Sequence, residues 1–131
     1  MCRLLILLVA LALPAVSAAQ YGHPLKGSWS GDRTDAGRSI RLLIDLDWDG
    51  TDITGVINPG PNAATITKVI VDSATPAAWA VRLEATRTDA TGTAQPIVVE
   101  GTLRNIGVPG RLFAGTWTEG GASGPFSLKR N

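Results

Sequence analysis

From Ser39 to Trp48 the apolar residues stand on every second position: Ile40, Leu42, Ile44, Leu46 and Trp48 share one face, and Ser39, Arg41, Asp45 and Asp47 share the other. Successive side chains of an extended strand point to opposite faces, so this spacing describes a strand with one side on a core and the other in water. Only Leu43 breaks the pattern. Asp49-Gly50 follows at once as a hairpin turn signal; Ile53, Gly55 and Ile57 then resume the alternation until Asn58-Pro59-Gly60-Pro61 ends it.

The same period governs the rest of the chain. Between Ala64 and Asp72 the apolar phase slips by one residue around Lys68, from Ile66 to Val69 and Val71, which predicts a bulge or small corner. Trp79, Val81, Leu83 and Ala85 alternate with Arg82 and Glu84, and Ile97, Val99, Gly101 and Leu103 with Glu100 and Thr102. Phe113, Gly115 and Trp117 mark the next strand and Phe126 and Leu128 the last, with turns expected at Val108-Pro109-Gly110 and Gly120-Gly121-Ala122-Ser123-Gly124. Beyond the leader described next, no segment spaces its apolar residues by three and four. The reading is all-β: about eight antiparallel strands in an up-and-down barrel whose closure removes exposed edges, with a two-sheet β-sandwich as the alternative. Gly27, Gly55, Gly101 and Gly115 lie on apolar faces, where glycine either lets strands bend and approach or makes room for neighbouring tryptophans.

Residues 1–19 carry Arg3, an unbroken apolar run from Leu4 to Leu13, Pro14 and then small residues, the order of a secretory signal peptide. The run is shorter than the roughly 20 residues a membrane helix needs. The expected product is a secreted or periplasmic single domain, residues 20–131, without membrane insertion. Cys2 is the only cysteine, so that domain is cysteine-free and depends on its core and backbone pairing alone. Without Arg3, basic and acidic side chains balance at eleven each, and the basic residues are scattered. Such a surface does not attract nucleic acid or an anionic membrane strongly.

A Gly-x-Trp signal stands near both ends of the domain, as Gly27-Ser28-Trp29 and Gly115-Thr116-Trp117. The first, with Lys129 or Arg130 after Phe126 and Leu128, resembles the calycin group of barrels, which includes lipocalins, avidins and small bacterial relatives. The resemblance implies that Trp29 closes one end of the barrel beneath a basic residue of the last strand, Arg130 being the candidate. Trp117, on the residues alone, is expected as a second closing residue. The chain is short for a lipocalin, has no cysteine pair, and lacks in Ser30-Gly31-Asp32-Arg33 the polar residues that recognise biotin in avidins.

Four tryptophans against two phenylalanines and one tyrosine concentrate the aromatic surface. An eight-stranded barrel is just wide enough to be filled by its own side chains or to hold one small ligand. The leading expectation is a binding barrel for a small, largely apolar molecule at its mouth, with Trp48, Trp79 and Phe113 as wall residues; the competing one is that the tryptophans are core and end plugs. A second class is a protein-binding module resembling the small periplasmic protease inhibitors built on such barrels. Its N-terminal arm, with Tyr21, His23 and Pro24, would engage a co-secreted protein. A structural envelope protein without ligand is the third. Oligomeric state is left open by the sequence.

No catalytic residues, metal site or cofactor are expected. Asp45-Leu46-Asp47-Trp48-Asp49-Gly50 starts like a calcium loop but has Val56 where a bidentate Glu is needed. His23 is the only histidine, which is too little for a zinc site of several imidazoles. Glu84 and Glu100 face away from the apolar sides of their strands, so a glycosidase-like pair there lacks enclosure.

Overall fold

The computed structural model describes residues 23–131. The proposed signal peptide and Tyr21 lie outside the described residues. Eight strands follow one another: β1 (Gly27–Asp35), β2 (Arg38–Trp48), β3 (Ile53–Ile57), β4 (Ala64–Asp72), β5 (Ala78–Thr88), β6 (Ala94–Arg104), β7 (Leu112–Glu119) and β8 (Ala122–Arg130). Each pairs antiparallel with the next, and β8 returns to β1, with Trp29 opposite Arg130 and Arg33 opposite Phe126. The sheet is therefore a closed up-and-down barrel, not a sandwich, and no helix occurs among the described residues.

The alternation decides which side of each strand is inside. On β2, Leu42, Ile44 and Leu46 are buried while Asp45 and Asp47 are exposed, and Leu43, the residue out of phase, lies on the outer wall. On β5, Val81, Leu83 and Ala85 point inward. Arg82 on the outer wall is ion-paired to Glu84 at 2.9 Å and to Glu100 of β6 at 3.1 Å. These two carboxylates raise the Arg82 pKa above its ordinary value, Glu84 more than Glu100. The phase slip around Lys68 is a register shift between Ile66 and Lys68 in the β4–β5 ladder.

The centre of the barrel is filled by its own side chains. Phe113 packs edge-on against Trp29 and Phe126, with ring centroids 6.2 and 5.0 Å apart. All the fully buried residues described are apolar.

Two of the glycines on apolar faces face one another across β6 and β7, Gly101 opposite Gly115. A β-carbon on either would collide with backbone, the Ala114 carbonyl oxygen in one case and the Glu100 carbonyl oxygen in the other. Close approach of strands is thus the reason for these glycines, not space for a tryptophan. The final turn is shorter than its sequence suggests: Gly120 and Gly121, with φ of 58° and 85°, complete a two-residue hairpin, and Ala122, Ser123 and Gly124 already belong to β8.

Candidate functional site

The wall of the barrel is looser at one seam. β3 and β4 are in register only at Val56–Thr65 and Ile57–Ala64, while β5 and β6 pair along their whole length. β3 is short, and the bulge after Ile66 turns β4 away from it, so Ile53 and Thr54 part from Lys68, Val69 and Val71. The result is a cleft of about 500 Å³. Trp48, Ile53, Val69 and Val71 give it apolar walls, and His23, Asp52 and Lys68 give it polar ones.

One side of this cleft comes from the chain before β1. Leu25 is fully buried and plugs the barrel end, and its carbonyl accepts the Trp29 indole N–H at 2.8 Å. Two guanidiniums hold the same segment: Arg111 Nη1 donates to the Pro24 carbonyl and Arg130 Nε to the Lys26 carbonyl, each at 2.7 Å. Burial lowers the Arg111 pKa, and the nearby positive charge of Arg130 adds to the effect. His23 is thereby placed between Trp48 and Trp79, with ring centroids 6.2 and 5.6 Å away. Burial pushes its pKa below the ordinary 6.5. Its Nδ1 accepts the Leu25 amide at 3.1 Å, which requires that nitrogen to be unprotonated.

The expected wall residues divide accordingly. Trp48 and Trp79 meet at one end of the barrel through His23, while Phe113 is a buried core residue away from the cleft lining. His23 and Pro24 are bound down against the barrel instead of projecting from it. Trp29 lies near the end closed by Leu25, and Arg130, its register neighbour, lies over Gly27 and spends its Nε on Lys26. The guanidinium that stacks on an indole is at the opposite end, where Arg33 lies 4.6 Å from the Trp117 ring centroid.

That opposite end holds a second pocket of about 260 Å³, lined by Arg33, Asp35, Arg87, Asp89, Trp117 and Glu119 among others. Sequence reasoning passed over it, although one signal was available. Arg33, Arg87 and Glu119 continue the inward phase of Trp29, Ala85 and Trp117, so each is a charged residue on a core-facing position.

The acidic residues of the β2 end are engaged locally. Asp45 accepts the Ser28 hydroxyl, and Asp49 accepts the amides of Thr51 and Asp52, which hold its pKa below the ordinary range, Asp52 contributing most. No protein-family model, curated protein or solved structure matches this chain.

Proposed function

We propose that this chain is a small exported binding barrel of calycin-like design, secreted or periplasmic, which takes a small ligand with a largely apolar body into the β3–β4 cleft. The observation that carries the reading is the splayed seam itself, which brings Trp48 to the edge of an open, partly apolar cleft in a barrel whose centre is filled. Its volume lies within the range of small-molecule sites. Ile53, Val69 and Val71 would pack an aliphatic or ring body against Trp48, and His23, Asp52 and Lys68 would orient one polar end.

A ligand of about 20 non-hydrogen atoms at about 0.3 kcal/mol each corresponds to a Kd of tens of micromolar. Titration of tryptophan fluorescence with fatty acids, retinoids and related apolar probes tests the reading. A saturable response that Trp48→Ala removes is expected. Absence of a saturable response to every probe, or a response that survives Trp48→Ala undiminished, refutes it.

A further inference from the structure

The pocket at the end away from Leu25 is built from inward-facing polar residues of separate strands. Arg33 comes from β1, Arg87 from β5, and Trp117 and Glu119 from β7. The fully buried residues described are all apolar, so these charges stand where the inward phase would otherwise continue the core. Glycine helps to make the arrangement: Gly124 of β8 sits on the inward phase opposite Trp117, where a β-carbon would collide with the Thr34 carbonyl oxygen, so β1 and β8 approach closely beside the stack of Arg33 on Trp117.

Within the pocket the groups are unequally satisfied. Glu119 is paired with Arg87. Asp89 accepts the amides of Thr91 and Thr93 and the Gln95 side chain, so its carboxylate is largely occupied by its own loop. Arg33 is different. Its side chain is only 14% exposed, its closest carboxylate is Asp35 at 3.8 Å, beyond hydrogen-bond distance, and its Nε–H is buried without an acceptor. The Trp117 indole N–H, on a residue 2% exposed, is likewise buried and without an acceptor. Buried donors are normally paired, so two orphans beside one pocket point to an acceptor supplied from outside the chain.

The chemistry of that acceptor follows from the charges around it. A desolvated guanidinium short of a hydrogen-bonded counter-ion favours a carboxylate over a neutral hydroxyl. Yet the named lining residues carry three carboxylates against two guanidiniums, which disfavours a simple anion and calls for a cationic group on the same ligand. The volume suits a molecule of amino-acid size.

We propose that this pocket binds a small zwitterion of the free amino-acid class, whose carboxylate accepts the Arg33 Nε–H and the Trp117 Nε1–H and whose ammonium faces Asp35 and Asp89. The site is independent of the β3–β4 cleft, which lies at the other end of the barrel.

The test is a titration of the ¹⁵N-labelled folded protein with individual free amino acids, reading the four tryptophan indole N–H signals. The expected result is a saturable shift of the Trp117 signal while that of Trp29, already bonded to the Leu25 carbonyl, stays in place. Arg33→Gln and Asp35→Asn each weaken the response about tenfold or more, as the loss of one charge-assisted contact requires. Asp35 is on the rim, so its variant keeps the test decisive if Arg33→Gln disturbs the barrel end; an unmoved Trp29 signal reports that the fold is intact. Acetate and ethylammonium, which carry half of the recognition each, produce weaker shifts. The proposal is overturned if no amino acid moves the Trp117 signal at about 10 mM, a threshold for millimolar binding. It is also overturned if acetate matches the amino acids, which marks an anion site, or if glucose alone produces the shift, which marks a polyol site.

Discussion

Leu25→Ala tests how the barrel is closed at the cleft end. Leu25 is fully buried beneath Trp29, and the substitution removes its packing but leaves the backbone carbonyl that accepts the indole N–H. Buried Leu→Ala changes cost about 2–5 kcal/mol, with the lower figures where surroundings collapse into the space. The segment from His23 to Lys26 lies outside the strands and can settle inward, so the lower half applies, about 2–3 kcal/mol. It should nevertheless stay docked, because the Arg111–Pro24 and Arg130–Lys26 hydrogen bonds do not involve the Leu25 side chain. For a domain of this size, a loss of about 2–3 kcal/mol lowers the Tm by roughly 10 °C. Urea unfolding followed by tryptophan fluorescence measures the loss, and hydrogen exchange at the Trp29 indole tells whether the segment remains in place. A loss below about 1 kcal/mol would show that Leu25 is not the plug described. An exposed Trp29 indole would show that the side chain, not the two guanidiniums, holds the segment down.

Two glycines separate steric crowding from backbone strain. Gly115→Ala drives a β-carbon into the β6 backbone and should cost about 3 kcal/mol or more, whereas Gly37→Ala, at φ 78° with open space around it, should cost only about 1 kcal/mol; equal midpoints in urea would contradict the distinction. Because the His23 pKa is lowered on folding, the unfolded chain binds more protons just below pH 6.5, so stability should fall as the pH is taken down through that region. His23→Gln should flatten this slope in melting curves, and an unchanged slope would assign it to other groups. Asp89 is held at about 2 by the Thr91 hydroxyl first and the Thr93 amide next, so its support of the β5–β6 loop is complete above the ordinary carboxylate range and fades as the pH falls toward 2. Asp89→Ala should therefore speed hydrogen exchange at the Thr91 and Thr93 amides at neutral pH, and exchange equal to that of the unsubstituted protein would refute the capping role.

The features legible in the sequence were those written in period two. Leu42, Ile44 and Leu46 fell on one face by count alone, and the slip at Lys68 became the bulge in β4. Local signals also located most turns, since Asp49-Gly50 and Gly120-Gly121 need no distant partner to act. The cleft could not be read the same way. It exists because β3 and β4 stop pairing after Val56–Thr65, a property of two strands together that neither shows alone. The docking of the arm that carries His23 could not be read either, because nothing near it in sequence reveals that Arg111 and Arg130 fix the Pro24 and Lys26 carbonyls. The charged end was legible in part: Arg33, Arg87 and Glu119 break the inward apolar phase, but the stack of Arg33 on Trp117 spans two strands that are not neighbours and emerges only on closure.

A barrel of eight strands has little freedom in how it uses its inside, and the core packing here removes the interior as a binding space. On the binding proposed above, recognition would come from wherever the regular wall is interrupted. The β6–β7 seam cannot supply it, because Gly101 and Gly115 bring those backbones too close for any side chain or ligand. The β3–β4 seam can, since its partial pairing gives up ladder hydrogen bonds and opens a cleft in return. The end with Arg33 offers the second interruption, one of chemistry instead of pairing, where buried donors remain without acceptors inside a closed sheet. Both interruptions reduce what the barrel could gain from regular pairing and apolar packing, in a domain where no disulfide compensates. Such local departures from a self-consistent fold are where binding sites are to be sought, and this molecule has one such departure at each end of an otherwise uniform wall.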